Sequence, residues 1–285
     1  MTKLKIALQK SGRLSDKSIE LIRECGISLT NGSRKLLSRS SNFPLEVMYL
    51  RDDDIPRYVA DGVADIGMVG ENVVAEEKAG VETREKLGFA RCRMSLAVPK
   101  ATPYNAPSDL HGKRIATSYP VILKDYFKQK GIEADVHEIS GSVEIAPGIG
   151  LSEGIFDIVS TGSTLISNGL REVETVMDSQ AVLIAQPELE NEKEALLSKL
   201  LFRIQAVKKS RNNKYILLNA PNDRLDEITS LIPGMKSPTV MPLADPGWSS
   251  VHSVVNENDF WEVIDGLKEK GAQGILVVPI EKMIV

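Results

Sequence analysis

Ser160-Thr161-Gly162-Ser163-Thr164 sets four hydroxyl side chains around one glycine, directly after the apolar run IFDIV at 155–159. At a turn from strand to helix, backbone N–H groups, hydroxyl donors and the positive end of the helix can converge on one anion, and a phosphate suits such a site. Gly162 lets the backbone come close to it. The same residues also read as nothing more than a helix cap. Two carboxylates favour the first reading. Asp157 on the same predicted strand and Glu144 in SGSVEIAP can accept the hydroxyls of a sugar whose phosphate fills the loop. Either acid alone would read as a solvated surface group.

Cations for further phosphate charge stand where open α/β sheets bind ligands, at the carboxyl ends of strands. Lys10 and Arg13 follow the first predicted strand in QKSGR, and Arg51 stands beside Asp52, Asp53 and Asp54 in RDDDI. Those three acids have several open readings: first-turn acids favoured by the helix dipole, groups orienting Arg51, or partial holders of a hydrated Mg²⁺. Glu71 in GEN ends another strand at the same edge. Thr117, Ser118 and Tyr119 close KRIATSYP, where the ring can stack on a ligand or pack.

Several chemistries are excluded. GIGLSEG at 148–154 misses GxGxxG spacing and precedes a strand, and no GxxxxGK[ST] occurs, so neither a Rossmann fingerprint nor a P-loop is present. His111, His137 and His252 fall in no metal spacing and beside no nucleophile motif, and are expected to be ordinary surface or packing residues. Cys25 and Cys92 lack CxxC spacing, so no disulfide framework or zinc site is expected, and Cys25 reads as a small core residue. Asn31-Gly32-Ser33 fits a glycosylation sequon but reads as a turn. A net charge of −4 argues against a nucleic-acid surface, so an anionic ligand must be met by local cations. No signal-length or membrane-length apolar run occurs, which gives the expectation of a cytoplasmic protein.

The elements that must carry these residues alternate between strand and helix. KLKIALQ, LEVMYL, ADIGMVG, RMSLAVP, KRIATSY, IFDIVS and QAVLIAQ are predicted strands. SDKSIELIRECG is a predicted helix capped by Ser15 and ended by Gly26. Such alternation implies largely parallel sheets with helices on their faces. At 285 residues the chain should divide into domains. The proline-rich stretch at 98–113 marks one predicted crossover, and AVKKSRNNK at 206–214 reads as a basic connector. Beyond it the order β-α-β-β-α-β is that of a ferredoxin-like unit. Leu225, Ile228 and Leu231 form the apolar face of its first helix, and Trp261, Ile264 and Leu267 that of its second.

Together these segments resemble the long form of the ATP phosphoribosyltransferase family. The matching stretches are LQKSGRLSD, RDDDIP, DIGMVGENV, GKRIATSYP, GSVEIAPGIGL, DIVSTGSTL, NGLREVE, SPTVMPLADPGW and ILVVPIEKM, which span nearly the whole chain. The resemblance implies transfer of the phosphoribosyl group of phosphoribosyl pyrophosphate to N1 of ATP, with Mg²⁺ assistance. It also implies an α/β fold of two lobes like that of periplasmic binding proteins, with the active site in the cleft, followed by a ferredoxin-like α+β regulatory domain. The expected boundaries are 1–97 with 181–208 for the first catalytic domain, 98–180 for the second and 212–285 for the regulatory domain.

On this resemblance the phosphate loop falls on Ser160 to Thr164 and the ribose-binding acids on Glu144 and Asp157. Lys10, Arg13 and Arg51 become candidates for meeting phosphate charge, and Tyr119 with Glu71 for the adenine end. No residue is expected to act as nucleophile or general base, and Mg²⁺ is expected to be held mainly by substrate phosphates. Histidine is the implied feedback inhibitor, with PLADPGWSSVHSVV near its site, and the implied assemblies are a homodimer and a homohexamer. A bilobed fold also serves binding without chemistry, which leaves a cytoplasmic small-molecule sensor as the alternative.

Overall fold

The computed structural model describes residues 2–29 and 36–284, and the sequon at Asn31 lies outside them. The chain forms two units, Met1–Ser198 and Lys199–Val285. The first holds two sheets. The first sheet begins with β1 (Leu4–Gln9), β2 (Leu37–Arg39), β3 (Leu45–Leu50), β4 (Ile66–Gly70) and β5 (Glu82–Lys86). The chain then crosses to build β6 (Cys92–Pro99), β7 (Arg114–Thr117), β8 (Asp135–Glu138), β9 (Gly154–Val159) and β10 (Leu170–Ser179), and returns to the first sheet with β11 (Ala181–Ala185).

The strand orders are β2-β3-β1-β4-β11-β5 and β10-β6-β9-β7-β8. β1 runs parallel to β3 and β4, and β7 runs parallel to β8 and β9. The strands next to the crossovers, β11 and β6, run antiparallel to their neighbours. Central strands are covered on both faces, so they read as continuous apolar runs: every residue of IGMVG in β4 and AVLIA in β11 is buried. The two crossovers are tied to each other, since Leu87 N–H donates to Ala181 O and Ala181 N–H to Phe89 O, both at 2.9 Å. Two lobes joined by a paired crossover are the architecture expected from the family resemblance.

The crossover itself falls before Cys92, so β6 belongs to the second sheet rather than to a first domain ending at 97. The proline-rich stretch at 98–113 lies inside the second lobe, where it joins β6 to β7 through a 3₁₀ turn at Pro107–Leu110. β2, β5, β8 and β10 have no counterpart among the predicted strands. All four are sheet edges, where half-exposed positions carry polar residues and the apolar signal is lost.

Helices α1 (Arg13–Glu24), α2 (Ile55–Ala60), α3 (Glu71–Glu77), α4 (Pro120–Lys130), α5 (Ser163–Ser167) and α6 (Asn191–Arg211) complete the unit and lead out of it. α1 starts earlier than predicted. Gly12, at φ 101°, precedes it, and Ser15 is buried in the first turn instead of capping it. Gly26, at φ 72°, supplies the left-handed exit, and Cys25 is core as expected. The expected connector at 206–214 is mostly the end of α6, whose Leu200, Ile204 and Val207 are buried.

The second unit contains β12 (Asn213–Pro221), α7 (Leu225–Leu231), β13 (Thr239–Pro242), β14 (Trp248–Asn256), α8 (Glu257–Glu269) and β15 (Gln273–Pro279). Its antiparallel order β13-β14-β12-β15 is the ferredoxin-like arrangement. Ile228 on α7 is buried, flanked by Leu225 and Leu231. On α8 the buried face is Phe260 and Leu267 with Val263 and Ile264 packed beside them. Trp261 is 68% exposed, one position away from the face assigned to it.

Candidate active site

β9 delivers the hydroxyl cluster to the surface. Gly154, Ile155, Phe156 and Val159 are buried, Asp157 is half-buried and Ile158 is exposed. Gly162 then takes φ 80°, a left-handed conformation open to glycine at little cost, and the chain enters α5. Thr161 Oγ1 lies 3.0 Å from Ser163 Oγ, and Ser163 N–H points at Thr161 Oγ1 at 3.5 Å. Ser160, Thr161, Ser163 and Thr164 are all exposed, so their hydroxyls are open to a ligand.

Asp157 and Glu144 come together as the sequence anticipates. Glu144 sits half-buried in a 3₁₀ turn at Val143–Ile145. The Asp157 carboxyl is pushed up to about 6, first by burial and then by the charge of Glu144, with the 2.7 Å bond from Ile158 N–H opposing. Tyr119, the residue before α4, has its phenol pushed up by burial and by the charges of Asp157, Asp52 and Asp53 and by Cys92. A half-buried phenol among carboxylates stays neutral and can donate.

A cavity of about 550 Å³ opens between the two sheets, lined among others by Arg13, Asp52, Asn72, Arg91, Tyr119 and Ser160. Asp52 is pushed up by burial and then by Asp53. Lys17 also lines this cavity, one turn beyond Arg13 on α1. Lys10 and Arg51 are exposed at the ends of β1 and β3, and Lys10 N–H bonds Leu50 O at 2.8 Å, so the two strand ends are held side by side. Glu71 turns away to Lys86, 2.9 Å distant, while its neighbours Gly70 and Asn72 face the cavity.

Gln9, Lys17, Asn72, Arg91 and Cys92 are among the cavity residues that sequence reasoning missed. Asn72 is 4% exposed and bonds Ser179 at the second crossover through both its N–H (3.1 Å) and its side chain (2.9 Å). The GEN motif held a signal for it, whereas Arg91 sits in a stretch with no motif. None of the three histidines lines the cavity. Among the described residues no group of three or more His, Cys, Asp or Glu could hold a metal by itself.

A second contact fixes the lobes beside Tyr119. Glu76, on α3 of the first lobe, accepts Val121 N–H at 2.8 Å and Ile122 N–H at 3.0 Å, capping α4 of the second lobe. Lys78 adds an ion pair to Asp125 at 2.6 Å. Because α4 starts immediately after Tyr119, this cap also holds the backbone from which the ring projects. Glu76→Ala orphans two helix N–H groups and is expected to cost about 1–2 kcal/mol, the scale of a lost N-cap. A lowered thermal midpoint, restored in part by Glu76→Gln, is the expected result; an unchanged midpoint would remove the cap from the account.

Comparison with known proteins agrees with this architecture. A family model described as ATP phosphoribosyltransferase matches residues 51–206, and one described as HisG, C-terminal domain, matches residues 210–282. The chain is 60% identical over 283 residues to an ATP phosphoribosyltransferase of Cytophaga hutchinsonii, covering 99% of both chains. It is 57% identical over 282 residues to that of Phocaeicola vulgatus, covering 99% of this chain and 100% of the other. Among solved structures it resembles the ATP phosphoribosyl transferase (HisG:HisZ) complex from Thermotoga maritima, with a TM-score of 0.61 and 30% identity over 71% of this chain and 98% of that one. No helix among the described residues is long and apolar enough to cross a membrane.

Proposed function

This chain belongs to the ATP phosphoribosyltransferase family, and from that premise we infer that its interlobe cavity is where phosphoribosyl pyrophosphate and ATP react. The reaction is the first step of histidine biosynthesis and joins C1 of the ribose to N1 of the adenine, releasing pyrophosphate. The sensor reading is not favoured, since the relatives at this identity are transferases over their full length.

The observation that carries the site assignment is the convergence of the exposed hydroxyl loop with Asp157 and Glu144 at the edge of a cavity lined by Arg13, Lys17 and Arg91. The loop takes the 5-phosphate through hydroxyls and N–H groups, and the acids accept the ribose hydroxyls. Positive charge that grows on the sugar is favoured by the two carboxylates, and negative charge on the departing pyrophosphate by the cations. Adenine N1 carries a lone pair and no proton, so no general base is required. Tyr119 provides a neutral phenol and a ring face on the ATP side. The donor set suits a Mg²⁺ held mainly by substrate phosphates, with Asp52 as a carboxylate that lines the cavity; when bound, it would neutralise pyrophosphate charge.

Histidine inhibition is assigned to the ferredoxin-like unit, and the assembly to a homodimer that forms a homohexamer. The test follows pyrophosphate release and adenine-ring absorbance with ATP, phosphoribosyl pyrophosphate and Mg²⁺, with light scattering on the same sample with and without histidine. Turnover that needs both substrates and Mg²⁺ and falls with histidine is expected, with a hexamer present. Turnover insensitive to histidine would overturn the regulatory assignment, and dependence on one substrate alone would overturn the site.

A further inference from the structure

We propose that Arg93 is a positioning residue for the phosphate loop, clamped by Glu172 and holding the Ser160 carbonyl so that the next peptide N–H faces the ligand. The proposal rests on the reading of that loop given above. Arg93 lies on β6 opposite Val159, the last residue of β9 before the loop. Its guanidinium forks onto Glu172 of β10, Nε to Oε1 and Nη2 to Oε2, both at 2.5 Å. Glu172 Oε1 also accepts Ser95 Oγ of β6 at 2.7 Å and Thr175 Oγ1 of its own strand at 3.3 Å, so the carboxylate is held from β6 and from within β10.

With two of its nitrogens committed, Arg93 has Nη1 left to donate, and it does so to Ser160 O at 3.2 Å. A trans peptide points its C=O and the following N–H in opposite directions. Pinning Ser160 O towards Arg93 therefore turns Thr161 N–H away from the clamp. Gly162, left-handed, fixes the other end of the same short turn. The loop is thus shaped from both sides before substrate arrives, by a guanidinium whose charge Glu172 already pairs. Lysine cannot reproduce this, because a single ammonium cannot both fork onto a carboxylate and reach the carbonyl.

Steady-state kinetics of Arg93→Lys, Arg93→Met and Glu172→Gln test the proposal, each variant also combined with Thr161→Ala. Expected is a rise of about ten- to a hundredfold in the KM for phosphoribosyl pyrophosphate, the scale of a misplaced binding group, with the KM for ATP nearly unchanged. Thr161→Ala removes the hydroxyl but keeps the Thr161 N–H, so the rise caused by the Arg93 and Glu172 variants should persist in that background. If Thr161→Ala alone raises the KM while the folded Arg93 and Glu172 variants do not, the positioning role is wrong and the loop assignment stands. If none of them raises it, the loop assignment fails and the proposal with it. Effects that fall equally on both substrates would also overturn it, as general destabilisation. Should Arg93→Met not fold, Arg93→Lys and Glu172→Gln decide the matter by the same readings.

Discussion

Asp157→Asn is expected to make the protein more stable at pH 8 while weakening its hold on phosphoribosyl pyrophosphate. The carboxyl is raised from its usual 3.8 to about 6, first by burial. A raised acid favours the protonated form in the folded state, so ionisation costs stability: nothing below about pH 4, increasingly between pH 4 and 6, and in full above pH 6. The full cost is on the order of 2–3 kcal/mol. Asparagine removes that cost and can still accept the Ile158 N–H through its side-chain oxygen. The melting temperature should therefore rise at pH 8, with the gain gone at pH 4.

Substrate binding moves the other way. A hydrogen bond to a charged group is worth about 1.5–3 kcal/mol, so the KM for phosphoribosyl pyrophosphate should rise roughly ten- to a hundredfold. In the wild type the same KM should climb as pH falls through about 6. Comparison with Asp157→Asn cancels the titration of the substrate itself. An unchanged KM would take Asp157 out of the sugar site, and a lower melting temperature at pH 8 would contradict its burial as a charge.

Phe156→Ala should be the most damaging single truncation near the site. The ring is fully buried on β9, one residue before Asp157, among Met94, Leu96, Leu123 and Phe127. β6 and β7 flank the strand there, with Leu96 and Thr117 as register partners. Replacing a buried phenylalanine by alanine costs about 3–5 kcal/mol through lost transfer and the remaining cavity, a large share of a domain's usual 5–15 kcal/mol. Urea unfolding should show a clearly lower midpoint, with Phe156→Leu close to wild type. An alanine variant with an unaltered midpoint would mean that this core does not hold β9.

Much of this was legible in the chain before folding was considered. The hydroxyl loop, Asp157 and Glu144 were readable because each carries its chemistry locally, and the glycine at the turn is dictated by the conformation found there. The β-α-β-β-α-β order of the C-terminal unit was readable because its helices keep their periodicity and its strands, including the exposed β13 and β15, carry β-branched and other apolar residues. Trp261 was misassigned because threefold spacing around α8 fits two adjacent faces, and only the packing of Phe260 against the sheet chooses between them.

The motifs, the family resemblance, the central strands and the unit that follows α6 are all properties of short windows with a strong apolar or polar signature, so they are legible without the fold. Tertiary contacts decided the four edge strands of the first unit, the crossover ahead of Cys92, the cap that Glu76 gives α4, the clamp from Glu172 through Arg93 to Ser160, and the raised carboxyl of Asp157. The reason is physical. A mostly polar edge strand such as ETREK of β5 or DVHE of β8 is specified by its neighbour's unpaired backbone and not by its own hydrophobicity. A cap, a clamp or a displaced pKa depends on the distance between residues far apart in the chain, and folding sets that distance.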